Sequence, residues 1–193
     1  MLKTVFGVAT SALLFISTSS VSAESAIEQI KKRAAEINEL KTLIQSPDPA
    51  LRLAAIDTMQ NSKDLAMKEL AFSTGINASD ESVVALTIRN RFSEIDSFVV
   101  LLSKPEDNEK ALKAYNYFGG KVLFKIISFD KDRATFVNDT HVSNTDKSST
   151  ISGLNLFLNS SNCQGAFKLA EDLSYKGTIS CDKQEFPAVI NLF

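Results

Sequence analysis

The sequence predicts an α+β protein: an N-terminal helical bundle of about five helices, then a compact antiparallel β domain, either a sandwich or a partly open barrel. Three observations predict it. Apolar residues recur at three- and four-residue steps through the first half; after Gly119-Gly120 the spacing changes to strand alternation; and Cys163 and Cys181 fall on two stretches that align in one hairpin register. The expected division is a leader over 1–23, a helical domain over 24–118 and a β domain over 119–193.

The leader comes first. Lys3 supplies a basic start, Val5 to Ile16 an apolar run, and Val21-Ser22-Ala23 a small-residue end, the three parts of a secretory signal peptide. The apolar run is 12 residues long and interrupted by Gly7, Thr10 and Ser11, whereas a spanning helix needs about 20 apolar residues. Cleavage between Ala23 and Glu24 is therefore expected. Position 24 is Glu and not Cys, which closes the bacterial lipoprotein route. The mature chain is expected to be periplasmic or secreted, with no stable membrane insertion after cleavage.

From Glu24 to Ile44, Ile27, Ile30, Ala34, Ile37, Leu40 and Ile44 form one apolar stripe between Lys31, Lys32, Arg33, Glu36 and Glu39. That pattern predicts one amphipathic helix. A coiled-coil seam needs three or four sustained heptads, so packing on the helices that follow is the favoured reading.

An internal repeat follows. Asp48-Pro49-Ala50-Leu51-Arg52-Leu53-Ala54-Ala55-Ile56 aligns with Asp80 to Ile88 at a period of 32 residues. In the first copy Asp48 caps a helix with Pro49 in its first turn, and Leu51, Ala55 and Met59 share a face. Ser62 is placed to cap a partner helix over Leu65–Phe72, with Gly75 as its stop. In the second copy Ser79 or Asp80 caps, and Val84, Ile88 and Phe92 form the stripe.

On Pro47-Asp48-Pro49, Leu51-Arg52 and Ala54-Ala55-Ile56, residues 44–95 resemble HEAT repeats. The second copy departs from the pattern with Val84 where Arg52 stands, and the period is shorter than the usual 40 or so. The resemblance implies two stacked helical hairpins that present a protein-contact surface and no chemistry. Two repeats fall short of the three a solenoid needs, so neighbouring segments must complete their core. A short helix over Ala111–Tyr117 then ends at Gly119-Gly120.

In the β half, Lys121–Phe129 reads as a strand, Asp130-Lys131-Asp132 as a turn and Arg133–Val137 as a second strand. Residues 138–149 read as a long polar loop. Leu154, Leu156 and Leu158 alternate with Asn155 and Phe157 in a third strand. A turn at Glu171-Asp172 then sets Leu169 opposite Tyr175, Phe167 opposite Gly177, Gly165 opposite Ile179 and Cys163 opposite Cys181. Directly opposed cysteines can bridge, and export favours a disulfide over two free thiols. This turn lacks the glycine that three-residue hairpin loops favour. The last strand is expected over Pro187–Phe193, at an edge or with Pro187 at its start.

Composition narrows the function. With 21 basic and 23 acidic side chains there is no concentrated basic patch for nucleic acid. Thirteen Phe, three Tyr and no Trp weaken a sugar-stacking reading. No metal and no cofactor is expected, since His141 is the only histidine and the two cysteines alone cannot hold zinc. His141 reads as a loop residue without a nucleophile partner. Asp130 and Asp132 read as a hairpin turn and not a calcium loop, because the EF-hand glycine and distal Glu are missing. Glu171 and Asp172 read as turn residues. Ser180-Cys181-Asp182-Lys183 matches Ser-x-x-Lys by chance, on a strand end instead of a helix. Three sequons, at Asn77, Asn138 and Asn159, matter only in a host that glycosylates. The expected function is an exported noncatalytic module that binds another envelope or secreted protein. The alternatives are a β domain that carries a small ligand or glycan and, behind it, a hydrolase.

Overall fold

A computed structural model describes residues 20–139 and 148–192; the apolar run of the leader and His141 lie outside them. The chain divides into two compact units, one ending at Glu39 and one running from Leu40 to Phe193. Helix α1 (Ser20–Ile44) is the single helix its period predicts, and it begins ahead of the expected cleavage point between Ala23 and Glu24. Within the first unit, Arg33 pairs with Glu36 one turn on, and Ile27 and Ile30 are exposed.

The second unit opens with α2 (Pro49–Gln60), α3 (Leu65–Ile76) and α4 (Glu81–Phe92), which pack on one another. Their starts follow from short acidic side chains that satisfy free backbone N–H groups. Asp48 accepts from Ala50 N, Asp64 from Ala66 N and Met67 N, and Asp80 from Ser82 N. Ser62 is thus not the α3 cap; its hydroxyl accepts from Asp64 N and positions the residue that is. Gly75 is not a stop either. It lies inside α3, where a Cβ would sit 2.1 Å from Thr87 Oγ1, so the glycine lets α3 and α4 approach closely. On α2 the buried face is Ala55, Ile56 and Met59, and Leu51 is 45% exposed, off the expected stripe.

Buried polar groups tie α2 to α4. Gln60 Nε2 donates to Thr87 O at 3.2 Å, and Asn90 Nδ2 donates to Gln60 Oε1 at 3.1 Å and Asp57 Oδ1 at 3.2 Å. Asn61 Oδ1 accepts from Lys131 Nζ at 2.7 Å, linking α2 to a hairpin of the β half. The second copy of the repeat is a single helix, because α4 runs directly into a strand instead of a partner helix.

That strand is β1 (Ser97–Leu102), which lies inside the span 24–118 expected to be helical. After it come α5 (Glu109–Phe118), β2 (Lys121–Asp130), β3 (Thr135–Asp139), β4 (Ser148–Ser152), β5 (Asn155–Asn159), β6 (Cys163–Leu169), β7 (Tyr175–Cys181) and β8 (Gln184–Ile190). Each strand pairs antiparallel with its chain neighbour, and β1 pairs with β8 to close the barrel. The β half is therefore a closed up-and-down barrel in which, among the described residues, every strand is paired on both sides. The boundary expected at Gly119-Gly120 falls inside this unit, at the end of α5, where Gly119 takes a left-handed φ of 64° as helix cap.

Only the ends of the stretch expected to be a loop are strand, Asn138-Asp139 in β3 and Ser148-Ser149 in β4, with 140–147 outside the described residues; Leu154 sits in the β4–β5 turn beside Gly153. The last strand starts at Gln184, not Pro187. Pro187 sits within it and pairs with β7, yet costs no ladder bond: Ser103 N donates to Pro187 O just past the end of β1, so its missing N–H faces the open end of that ladder.

The β6–β7 register is the expected one: Leu169↔Tyr175, Phe167↔Gly177, Gly165↔Ile179 and Cys163↔Cys181. The two sulfurs are bonded, and both cysteines are buried. A Cβ at Gly177 would lie 2.0 Å from Ala166 O, so only glycine fits opposite Phe167. The missing turn glycine is replaced by Leu173 at φ 61°, held by Asp172, whose carboxylate accepts from Ser174 N and Oγ.

An eight-stranded barrel is just wide enough for side chains to fill it. Val100, Phe124, Leu156, Phe167, Ile179 and Phe186 do so here. Because α4 feeds β1, it delivers Phe92 to the end of the barrel where the odd-numbered strands begin. There Phe92 stacks on Phe136 at 5.7 Å and meets Phe98 edge-on at 5.7 Å and Tyr175 at 6.2 Å. Helix α5 connects β1 to β2 across the opposite end and adds Ala111, Tyr115 and Phe118 to the same core.

Phe92→Ala should cost about 3–5 kcal/mol in urea unfolding, with the helical and barrel signals lost together. Replacing both cysteines with alanine should lower unfolding free energy by about 3 kcal/mol on the chain-entropy model for a separation of 18 residues.

Candidate functional site

Among the described residues the barrel interior is packed with its own side chains. Its core is continuous with that of the helices, from Ile76, Val84 and Ile88 through Phe92 to the inward residues of all eight strands. A buried polar cluster lies where Asn138 Nδ2 donates to Ser149 Oγ at 2.7 Å and to Asn159 O at 3.2 Å. Burial pushes the Tyr175 phenol up in pKa, and its hydroxyl has no hydrogen-bond partner among the described residues. This keeps the phenol neutral, as its aromatic packing requires.

On the outer wall, strand alternation dictates which side chains point out. On β2, β1 and β8 an apolar strip runs from Leu123 to Val99 by direct pairing, along β1 to Leu101, and across to Val189. Leu101 and Leu123 are each 43% exposed. Lys121 and Lys125 flank Leu123 on the same face of β2, both exposed. Further round, on β5 to β8, a shallow open depression of about 580 Å³ is lined by Phe157, Gln164, Ala166, Thr178, Ser180 and Glu185 among others.

Among the helices, Arg52 is the residue that organises its surroundings. Its guanidinium donates to Ser46 O at 2.8 Å and Pro47 O at 3.1 Å and pairs with Asp80, which caps α4. Arg52 and the backbone N–H of Ser82 hold the Asp80 carboxyl below the usual carboxylate range. The arrangement joins the turns before α2 and α4, a structural role, beside a cavity of about 450 Å³.

The residues weighed for chemistry are engaged locally or fall outside the description. Asp130 Oδ1 accepts from Asp132 N and Arg133 N, closing the β2–β3 turn. Asp182 and Lys183 form the two-residue β7–β8 turn, both at positive φ, so Ser180 and Lys183 belong to a strand end and a turn. Asn77 is exposed and caps α3, Asn138 is buried, and Asn159 is half-buried with its Oδ1 shielded. His141 lies outside the described residues, as does Thr140 of the Asn138 sequon. Among the described residues no group of three metal-binding side chains comes together, and no helix is long and apolar enough to cross a membrane.

Sequence reading missed the outer-wall residues. Phe157, Leu101 and Leu123 sit at the out-pointing parity of their strands, which is legible only once the strands and their inward partners are fixed. No protein-family model matches the chain, and no curated protein or solved structure is similar to it at a significant level.

One carboxylate gives the barrel a pH signature. Lys176, at 2.5 Å, and then Ser174 hold Asp172 down to a pKa of about 2 from 3.8. A depressed folded pKa gives stability that is present above 3.8 and lost as pH falls toward about 2. Asp172→Asn should therefore be less stable than the parent at neutral pH, with the gap closing between pH 4 and about 2 in urea titrations.

Proposed function

We propose that this chain is an exported, noncatalytic binding protein that engages another envelope or secreted protein through the outer wall of β2, β1 and β8. The observation that carries the reading is the contiguous apolar strip Leu123–Val99–Leu101–Val189 on a rigid closed sheet. Apolar side chains that cluster on a barrel wall, away from any sheet edge, fit a protein contact better than they fit water. Lys121 and Lys125 at the border favour a partner with an apolar centre and acidic rim, since rim charges steer association.

Export is supported by the leader pattern of residues 1–23 and by the buried Cys163–Cys181 bond, which suits an oxidising compartment. The HEAT-like segment contributes less to this reading than its resemblance implies. Its α4 stripe is spent on sealing the barrel, so the helices serve the core first.

Edman sequencing of protein recovered from the envelope or medium should begin at Glu24. A photo-crosslinker at position 101 should give one defined adduct in the native compartment, absent with the crosslinker at 131 in the β2–β3 turn. Leu101→Ser with Leu123→Ser should abolish the adduct while changing stability by less than about 1 kcal/mol, as expected of exposed positions. A protein that stays monomeric and uncrosslinked in its own compartment would rule the reading out.

A further inference from the structure

The shallow depression on β5 to β8 lies outside the apolar strip, and its chemistry is different. Two outward rows line it, fixed by strand register. The first runs Phe157, Ala166, Thr178, and the second Asn159, Gln164, Ser180, Glu185. The first row thus gives one half-exposed aromatic ring followed by a methyl group and a hydroxyl. The second gives two carboxamides, a hydroxyl and a carboxylate. Among the described lining residues Glu185 is the one charged side chain, and none of them is a cation.

We propose that this groove is a binding site for a neutral oligosaccharide. A sugar ring presents an apolar face of C–H bonds that can lie on Phe157, and around its rim hydroxyls that both donate and accept. The second row is matched to such a rim: carboxamides and hydroxyls do both, and Glu185 accepts. Asn159 lies at the end of this row, its backbone N–H held by Ser149 Oγ at 3.0 Å. A volume of about 580 Å³ is within the range of small-molecule sites. The groove's open form suits a chain that enters and leaves along the wall.

The scaffold is also rigid where this matters. Gln164 and Ser180 are paired across β6 and β7, and each is the chain neighbour of a cysteine of the buried Cys163–Cys181 bond. Their spacing is thereby fixed before any ligand arrives, which reduces the ordering cost of binding. The composition of thirteen Phe, three Tyr and no Trp weighs against extensive sugar stacking, and the groove uses a single exposed ring, Phe157. The site is independent of the protein contact proposed above, and either can fail without the other.

The test is an NMR titration of the intact disulfide-bonded protein with chitotriose, cellotriose, maltotriose and, as the anionic comparison, trigalacturonate. At least one neutral trisaccharide should shift the resonances of Phe157, Gln164 and Ser180 at concentrations up to about 10 mM. Phe157→Ala and Gln164→Ala should each weaken that binding by roughly tenfold or more, with the amide spectrum otherwise intact, and Leu101→Ser should leave it unchanged. Silence of all three neutral sugars, shifts caused by trigalacturonate alone, or binding that survives both groove variants would overturn the proposal.

Discussion

Phe92 is the residue on which the rest of the structure depends. It ends α4, and three residues of the barrel, Phe98, Phe136 and Tyr175, enclose its ring. One aromatic side chain therefore seals the barrel and anchors the helices. Without it the odd-strand end of the barrel would open on water, and the stripe of Val84 and Ile88 behind it would lose its cover. The order of elements makes this possible, since β1 follows α4 after a short turn and the helix cannot leave the barrel mouth.

The barrel's closure and its filling are linked. Eight strands give an interior sized for side chains, and a chain with thirteen Phe supplies large ones. The rings then need a seal at each end, which α4 and α5 provide. The outer wall, for its part, carries two surfaces of different chemistry that meet at β8. The apolar strip suits a protein, and the polar groove suits a neutral, hydroxyl-rich ligand.

How much of this was legible in the sequence varied with the physical signal available. The β6–β7 register was readable because two cysteines, two glycines and four apolar residues agree on a single pairing, which a one-residue slip would break. The caps Asp48 and Asp80 were readable for a similarly local reason. Ser97–Leu102 was not, because a short unbroken apolar run fits a buried helix as well as a strand, and only its pairing with β2 and β8 decides. Ser148–Ser152 hides its one apolar core residue, Ile151, among hydroxyls. The β7–β8 turn uses Asp182 and Lys183 at positive φ, where the usual signal is Asn or Gly, so the start of the last strand was placed late, at Pro187. Gly75 reads as a helix stop by its type but serves close packing with Thr87, a contact no local pattern encodes. The outer-wall surfaces depend on all of these assignments at once.

The central claim is that helices α2–α4 and the barrel share one core sealed by Phe92, so the second unit behaves as one cooperative body. Native-state hydrogen exchange tests it most directly. The slowest amides of α2 and α4 should exchange with the same free energy as those of β6 and β7, through global unfolding alone. Helical amides that exchange at a distinctly lower free energy, while the barrel stays protected, would contradict it.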